Sequence, residues 1–178
     1  MESTPIGSDK ASWRGAIAGV LAPTSIALIL MTFLPDFSEP LSTIVKYAAP
    51  LLWVAAVVAL VRFDQPAPLA IGAAAAYALA FVLPAETSHD VPGYMAFAFG
   101  VQVVPVAWLA NPAFVIGLAM YQGGRMGEAF AASGLALLLA LTTLVTLDMD
   151  VGLGFAVWAV APALLALAAA RRWSPSQA

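Results

Sequence analysis

Cysteine is absent from the sequence, and histidine occurs once, at position 89. Without thiols there is no disulfide, zinc–thiolate site, haem attachment or thiol nucleophile. Charge is scarce too: Asp, Glu, Lys and Arg make up 10% of the 178 residues, against about 25% in soluble domains. The seven basic residues are scattered, which leaves no patch to hold nucleic acid. No ionisable side chain falls in the middle of a long apolar run. That absence argues against a proton carrier with an intramembrane carboxylate, and against a retinal protein needing a mid-span lysine. No cofactor is expected, and no catalytic residue or metal site either.

What is present is apolar. Hydrophobic residues make up 62% of the chain and the mean hydropathy is +0.93. A water-soluble fold of this size could not cover such a core with so few charges, so lipid is the expected solvent. The reading is an all-α polytopic membrane bundle of about six transmembrane helices, paired as three hairpins, with both termini cytoplasmic. Residues 1–13 are polar and expected as a disordered cytoplasmic tail, 14–172 as one transmembrane domain, and 173–178 as a short cytoplasmic tail.

The spans follow from the apolar runs: Gly15 to Leu34, Ile44 to Val61, Pro68 to Leu83, Tyr94 to Tyr121, Ala129 to Leu147 and Gly152 to Ala170. The first is long for a signal-peptide core and lacks a small-x-small cleavage site. The fourth, at about 28 residues, would be about 42 Å of helix and exceeds the hydrocarbon thickness. Pro105 and Pro112 fall inside it, so a kinked helix is expected, with a broken helix or re-entrant pair as the other solution. Orientation rests on Lys10, Arg14, Arg62, Arg125, Arg171 and Arg172, which share the inner side and leave only Lys46 outside. Five Arg against two Lys, with abundant Ala, suggest a GC-rich prokaryote and its plasma membrane.

Pro50, Pro105 and Pro162 recur at similar spacing in the even spans, and Phe33-Leu34-Pro35 echoes Val82-Leu83-Pro84. A repeated hairpin with helix kinks at Pro50, Pro105, Pro112 and Pro162 is one reading, and chance in an Ala/Val/Leu/Pro-rich chain is the other.

Candidate site residues are uncharged. Gln102 and Asn111 are the costliest to bury, because each amide needs several partners. With Thr24 and Ser25 they could line a polar pocket, or they could serve helix–helix hydrogen bonding. Thr32, Ser133, Thr142, Thr143 and Thr146 can satisfy their own helix carbonyls. His89 with Glu86, Asp90, Asp148 and Asp150 is a poor metal signature that solvated outer loops explain. Small residues at four-residue spacing, Gly15 with Gly19 and Ala18 with Ala22, allow close helix packing. They suit the bundle itself, a membrane-protein partner or a homo-oligomer. The tryptophans, including Trp53, Trp108 and Trp158, read as interfacial or packing residues.

Two function classes follow. One is a small-molecule transport component or permease-like protein, and the other a non-catalytic accessory subunit of a larger membrane complex. In size, span count and the Ala18-xxx-Ala22 spacing the chain is similar to the substrate-binding membrane subunits of energy-coupling-factor transporters. An intramembrane enzyme is not expected, since no Ser/His pair, paired aspartates or metal set lies at depth.

Overall fold

Four stretches form helices of at least 20 residues that are apolar enough to cross a membrane: Arg14–Phe33, Glu39–Leu60, Met126–Val145 and Leu153–Arg172. At about 1.5 Å per residue each spans about 30 Å, the thickness of a hydrocarbon core. The computed structural model describes residues 8–33, 39–61, 67–87, 91–146 and 151–173, and these are mostly helical. In chain order they form α1 (Ser8–Leu30, extended by a 3-10 turn at Met31–Phe33), α2 (Glu39–Leu60), α3 (Pro68–Ala80), β1 (Pro84–Glu86) and β2 (Val91–Pro92). There follow α4 (Gly93–Val103), α5 (Pro105–Trp108), α6 (Ala110–Gln122), α7 (Met126–Leu141), α8 (Thr143–Thr146) and α9 (Leu153–Arg172).

Close contacts set the packing directions. Arg14 Nη1 donates to the Val61 carbonyl at 3.3 Å and Ser25 Oγ to the Ala49 carbonyl at 2.7 Å, so α1 and α2 run antiparallel. A Cβ on Gly72 would meet Leu164 at 3.9 Å, and one on Gly154 would meet the Leu83 carbonyl at 2.7 Å, so α3 and α9 are antiparallel too. Between α6 and α7, a Cβ on Gly117 would lie 2.7 Å from Ser133 Oγ, so glycine is what lets these helices touch. Because α2 ends where α3 begins, and α3 begins beside the end of α9, Arg14, Arg125, Arg171 and Arg172 gather at one end of the bundle.

The core is aromatic around Trp53, Tyr77, Phe81, Phe97 and Phe114, with Tyr77 stacked on Phe114 at 4.5 Å and 7° between planes. The outer surface is apolar as well: Val20, Leu51, Leu138 and Val145 are 64, 69, 66 and 88% exposed. So much exposed aliphatic surface fits lipid rather than water.

Several boundaries differ from the sequence reading. Helix α1 begins at Ser8, inside the segment read as a tail, because Ser and Asp at positions 8 and 9 are residue types that favour a helix start. Helix α3 stops at Ala80, earlier than Leu83, and the chain then enters a two-stranded antiparallel hairpin that periodicity did not announce. This hairpin also meets the start of α9, where Glu86 pairs with Val151 and the Gly152 amide donates to the Ala85 carbonyl at 2.8 Å. Leu34, Pro35, Arg62, His89, Asp90, Asp148 and Asp150 lie outside the described residues.

Candidate functional site

The long apolar run from Tyr94 to Tyr121 does not form one kinked helix. It folds back on itself. Phe97 and Trp108 are eleven positions apart and would be separated by about 16 Å along a straight helix. Instead Trp108 Nε1 donates to the Phe97 carbonyl at 2.8 Å, and the two rings lie 5.9 Å apart. The reversal occurs at Val104, whose φ of −134° and ψ of 64° leave the helical region. Pro105 explains this, because a proline ring pushes the preceding residue out of the α region and offers no amide to the carbonyl four residues back.

Helix α4 therefore runs towards the end of the bundle that carries the tips of α1 and α2. Its first turn meets Tyr47, eight residues into α2, with the Tyr47 and Tyr94 rings 5.7 Å apart. Its last turn reaches Thr32 at the tip of α1, where Gln102 Nε2 donates to Thr32 Oγ1 at 2.6 Å. Helices α5 and α6 then return towards the basic end. The fold-back starts against backbone: the amides of Gly93 and Tyr94 donate to the Leu83 and Phe81 carbonyls, both at 2.9 Å. A Cβ on Gly93 would lie 1.8 Å from the Ala80 carbonyl oxygen, so no other residue type fits there without backbone movement.

At the foot of the returning limb sits Asn111, 4% exposed and hydrogen-bonded on both sides of its amide. Tyr77 OH donates to Asn111 Oδ1 at 2.6 Å, and Trp158 Nε1 donates to the same oxygen at 3.0 Å. Trp53 Nε1 donates to the Tyr77 hydroxyl at 2.8 Å, which commits the tyrosine hydrogen to Asn111. Asn111 Nδ2 in turn donates to the Trp108 carbonyl at 2.9 Å. An indole N–H can only donate and a backbone carbonyl can only accept, so this network fixes which way the amide points. The Trp108 carbonyl is available because Pro112, four residues on, has no amide hydrogen. The asparagine side chain thus replaces the donor that the following proline lacks, and the network ties α2, α3, α6 and α9 together.

A cavity of about 310 Å³ lies in the angle of the fold-back. Its walls come from α4 (Ala96, Phe97, Phe99, Gly100), α5 (Ala107, Trp108), the hairpin (Ala85, Glu86, Val91), Thr143 of α8 and the first turns of α9 (Gly154, Phe155, Trp158), with Asn111 among them. Most of this lining is aliphatic or aromatic. The polar side chains on it are Asn111, Thr143 and Glu86.

The candidate residues read from sequence do not converge. Asn111 lines the cavity, whereas Gln102 is exposed on the other side of α4 and pairs with Thr32. Thr24 is exposed and donates to its own helix at the Val20 carbonyl, 2.8 Å away. Ser25 is buried between α1 and α2. Ala18 is buried and Ala22 half-buried, but Gly15 and Gly19 are exposed, and a Cβ on either would meet nothing within 4 Å. The prolines behave unequally. Pro50 and Pro162 sit inside unbroken helices, Pro105 opens α5, and Pro112 occupies the first turn of α6, where a missing amide is tolerated. Tyr77, Trp53 and Trp158 complete the network around Asn111, which the sequence reading does not assemble. The signal was the Asn111-Pro112 pair in an apolar run, since a buried amide demands donors from neighbouring helices.

Among the described residues no group of three or more His, Cys, Asp or Glu could hold a metal ion. Compared with known proteins, the chain matches no family model, no curated protein and no solved structure.

Proposed function

We propose that this chain is a small-molecule transport component of a prokaryotic plasma membrane, crossing it six times with both ends cytoplasmic and holding its substrate in the fold-back cavity. The observation that carries the reading is the cavity itself, an apolar hollow with one fixed buried amide on its wall. Binding sites have this composition: mostly apolar walls with few, well-placed polar groups. Helices that break inside the membrane and line a cavity are also a recurrent device of carriers. In this reading the four long helices make four crossings, and α3 and α6, at 13 residues and about 20 Å each, make the other two together with the segments that flank them. The gathering of Arg14, Arg125, Arg171 and Arg172 at one end supports the cytoplasmic orientation. In this reading the cavity binds and passes its substrate unchanged.

A second reading, an accessory subunit of a larger membrane complex, is favoured by the open face of α1 at Gly15 and Gly19. Native mass spectrometry of the chain, extracted in mild detergent from its own membrane, separates the two. The transport reading expects a bound small apolar molecule that Ala96→Phe, which fills the cavity, removes. A stoichiometric second protein with no small molecule, lost on Gly15→Leu and Gly19→Leu, would replace it with the subunit reading.

A further inference from the structure

We infer that the fold-back cavity takes a neutral, compact aromatic molecule with a single hydrogen-bond acceptor, of the kind an aryl ketone presents, and that the acceptor is met by the amide of Asn111. This names the ligand class for the cavity and rests on the reading that the cavity holds a small molecule. The amide nitrogen of asparagine carries two hydrogens, and one is committed to the Trp108 carbonyl. Among the described residues no acceptor takes the second, although the side chain is 4% exposed and lines the cavity. A buried N–H without an acceptor is costly, and a ligand oxygen would satisfy it.

The rest of the wall sets the remaining chemistry. Phe97, Phe99, Trp108, Phe155 and Trp158 offer ring faces and edges, which favour a flat aromatic body over an aliphatic chain. No basic residue lines the cavity, and the arginines described lie at the far end of the bundle, so a carboxylate or phosphate would be stranded without a counter-charge. Glu86 is the one carboxylate on the wall, and it would further repel an anionic ligand. The volume of about 310 Å³ is at the low end for ligand sites of about 300–1,000 Å³, which limits the molecule to a few rings.

Benzophenone tests this directly, because its photoexcited carbonyl abstracts a C–H hydrogen and the two carbon radicals then join, marking where the ketone sits. The full chain in lipid nanodiscs is labelled, and the sites are located by peptide mass spectrometry. Diphenylmethane, the same shape with a CH₂ in place of the carbonyl, serves as competitor against unlabelled benzophenone. Labels are expected on cavity-lining residues, with diphenylmethane competing about tenfold less well, the discrimination one hydrogen bond gives. Asn111→Asp is followed as the pH is lowered: once its carboxyl is protonated it keeps the bonds to Tyr77, Trp158 and Trp108 but has no second hydrogen, so the tenfold difference should vanish. Ala96→Phe should abolish labelling of the cavity. Equal competition in the unaltered protein would overturn the acceptor assignment while leaving the cavity as a binding site. Labelling that Ala96→Phe does not change, or that avoids the cavity walls, would overturn both. The comparison of the two compounds needs no variant, so a misfolded Asn111→Asp would not protect the inference.

Discussion

Helix α9 and the 93–122 segment each contain proline within an apolar run, and they respond in opposite ways. Pro162 is buried inside a continuous helix, with Ala161 and Leu165 at 0% exposure packed against α3 and α7. Pro50 is treated likewise in α2, where Ser25 of α1 donates to the adjacent Ala49 carbonyl. Pro105 instead ends one helix and starts another running back. Its surroundings differ: Val103, Pro105 and Val106 are all exposed, and β-branched Val104 precedes the proline. A lost backbone bond does not by itself reverse a chain. Where neighbours hold the helix on several sides it continues, and where the tip is open the preference of the pre-proline residue prevails.

The largest way to disturb this comparison is at the start of the fold-back. Gly93→Ala sets a Cβ against the Ala80 carbonyl, and we expect a loss of about 3 kcal/mol or more, seen as a collapse in folded yield and in the thermal midpoint in detergent. A midpoint within a degree of the unaltered protein would mean that the α3–α4 corner yields easily. Next comes Asn111→Leu, which strands the Tyr77 hydroxyl, the Trp158 indole and the Trp108 carbonyl. A destabilisation of about 2–5 kcal/mol is expected, against under about 1 kcal/mol for Asn111→Asp at a pH low enough to protonate its carboxyl. Equal costs would show that side-chain volume, not hydrogen bonding, is what this position supplies.

Proline replacement sharpens the contrast itself. The chain has no cysteine, so spin labels can be placed cleanly at Met95 and Ile116. An uninterrupted helix would hold these positions about 31 Å apart, and the fold-back brings them much closer. Pro105→Ala should broaden the measured distances towards the longer value, whereas Pro162→Ala should leave them unchanged. A narrow, short distance in both would assign the reversal to the Phe97–Trp108 contact rather than to the proline. The smallest effect is expected from Gln102→Leu, about 0.6 kcal/mol, because its bond to Thr32 is exposed and intramembrane hydrogen bonds of this kind are weak.

Much of the helical framework is visible in composition and run length, because an apolar run in lipid has few alternatives to a helix. Helices α2 and α9 follow the expected spans to within a few residues at most ends. The fold-back is harder to see. The excess length of the 94–121 run and its two prolines signal an interruption, but its direction is set by Trp108 reaching Phe97 and by Gly93 fitting under Ala80, contacts that no periodicity encodes. The polar network is hidden for a related reason. Tyr77, Trp53 and Trp158 are as apolar as they are polar, so a sequence reading assigns them to packing or to the interface, and only Asn111 stands out. Gln102 and Asn111, nine positions apart, would face opposite sides of a straight helix, and the structure sets them on different helices, Gln102 exposed on α4 and Asn111 in the cavity wall at the start of α6. The hairpin at 84–92 is too short for alternation to register.

The partnership of Asn111 and Pro112 has a consequence for how this segment can change over time. Because the asparagine stands in for an amide that the proline removed, neither residue is independent of the other. Replacing Pro112 first restores a backbone donor to the Trp108 carbonyl, after which Asn111 can be lost at lower cost. Replacing Asn111 first leaves that carbonyl bare. The two substitutions should therefore be tolerated in one order and resisted in the reverse, a directional ratchet built from one missing hydrogen.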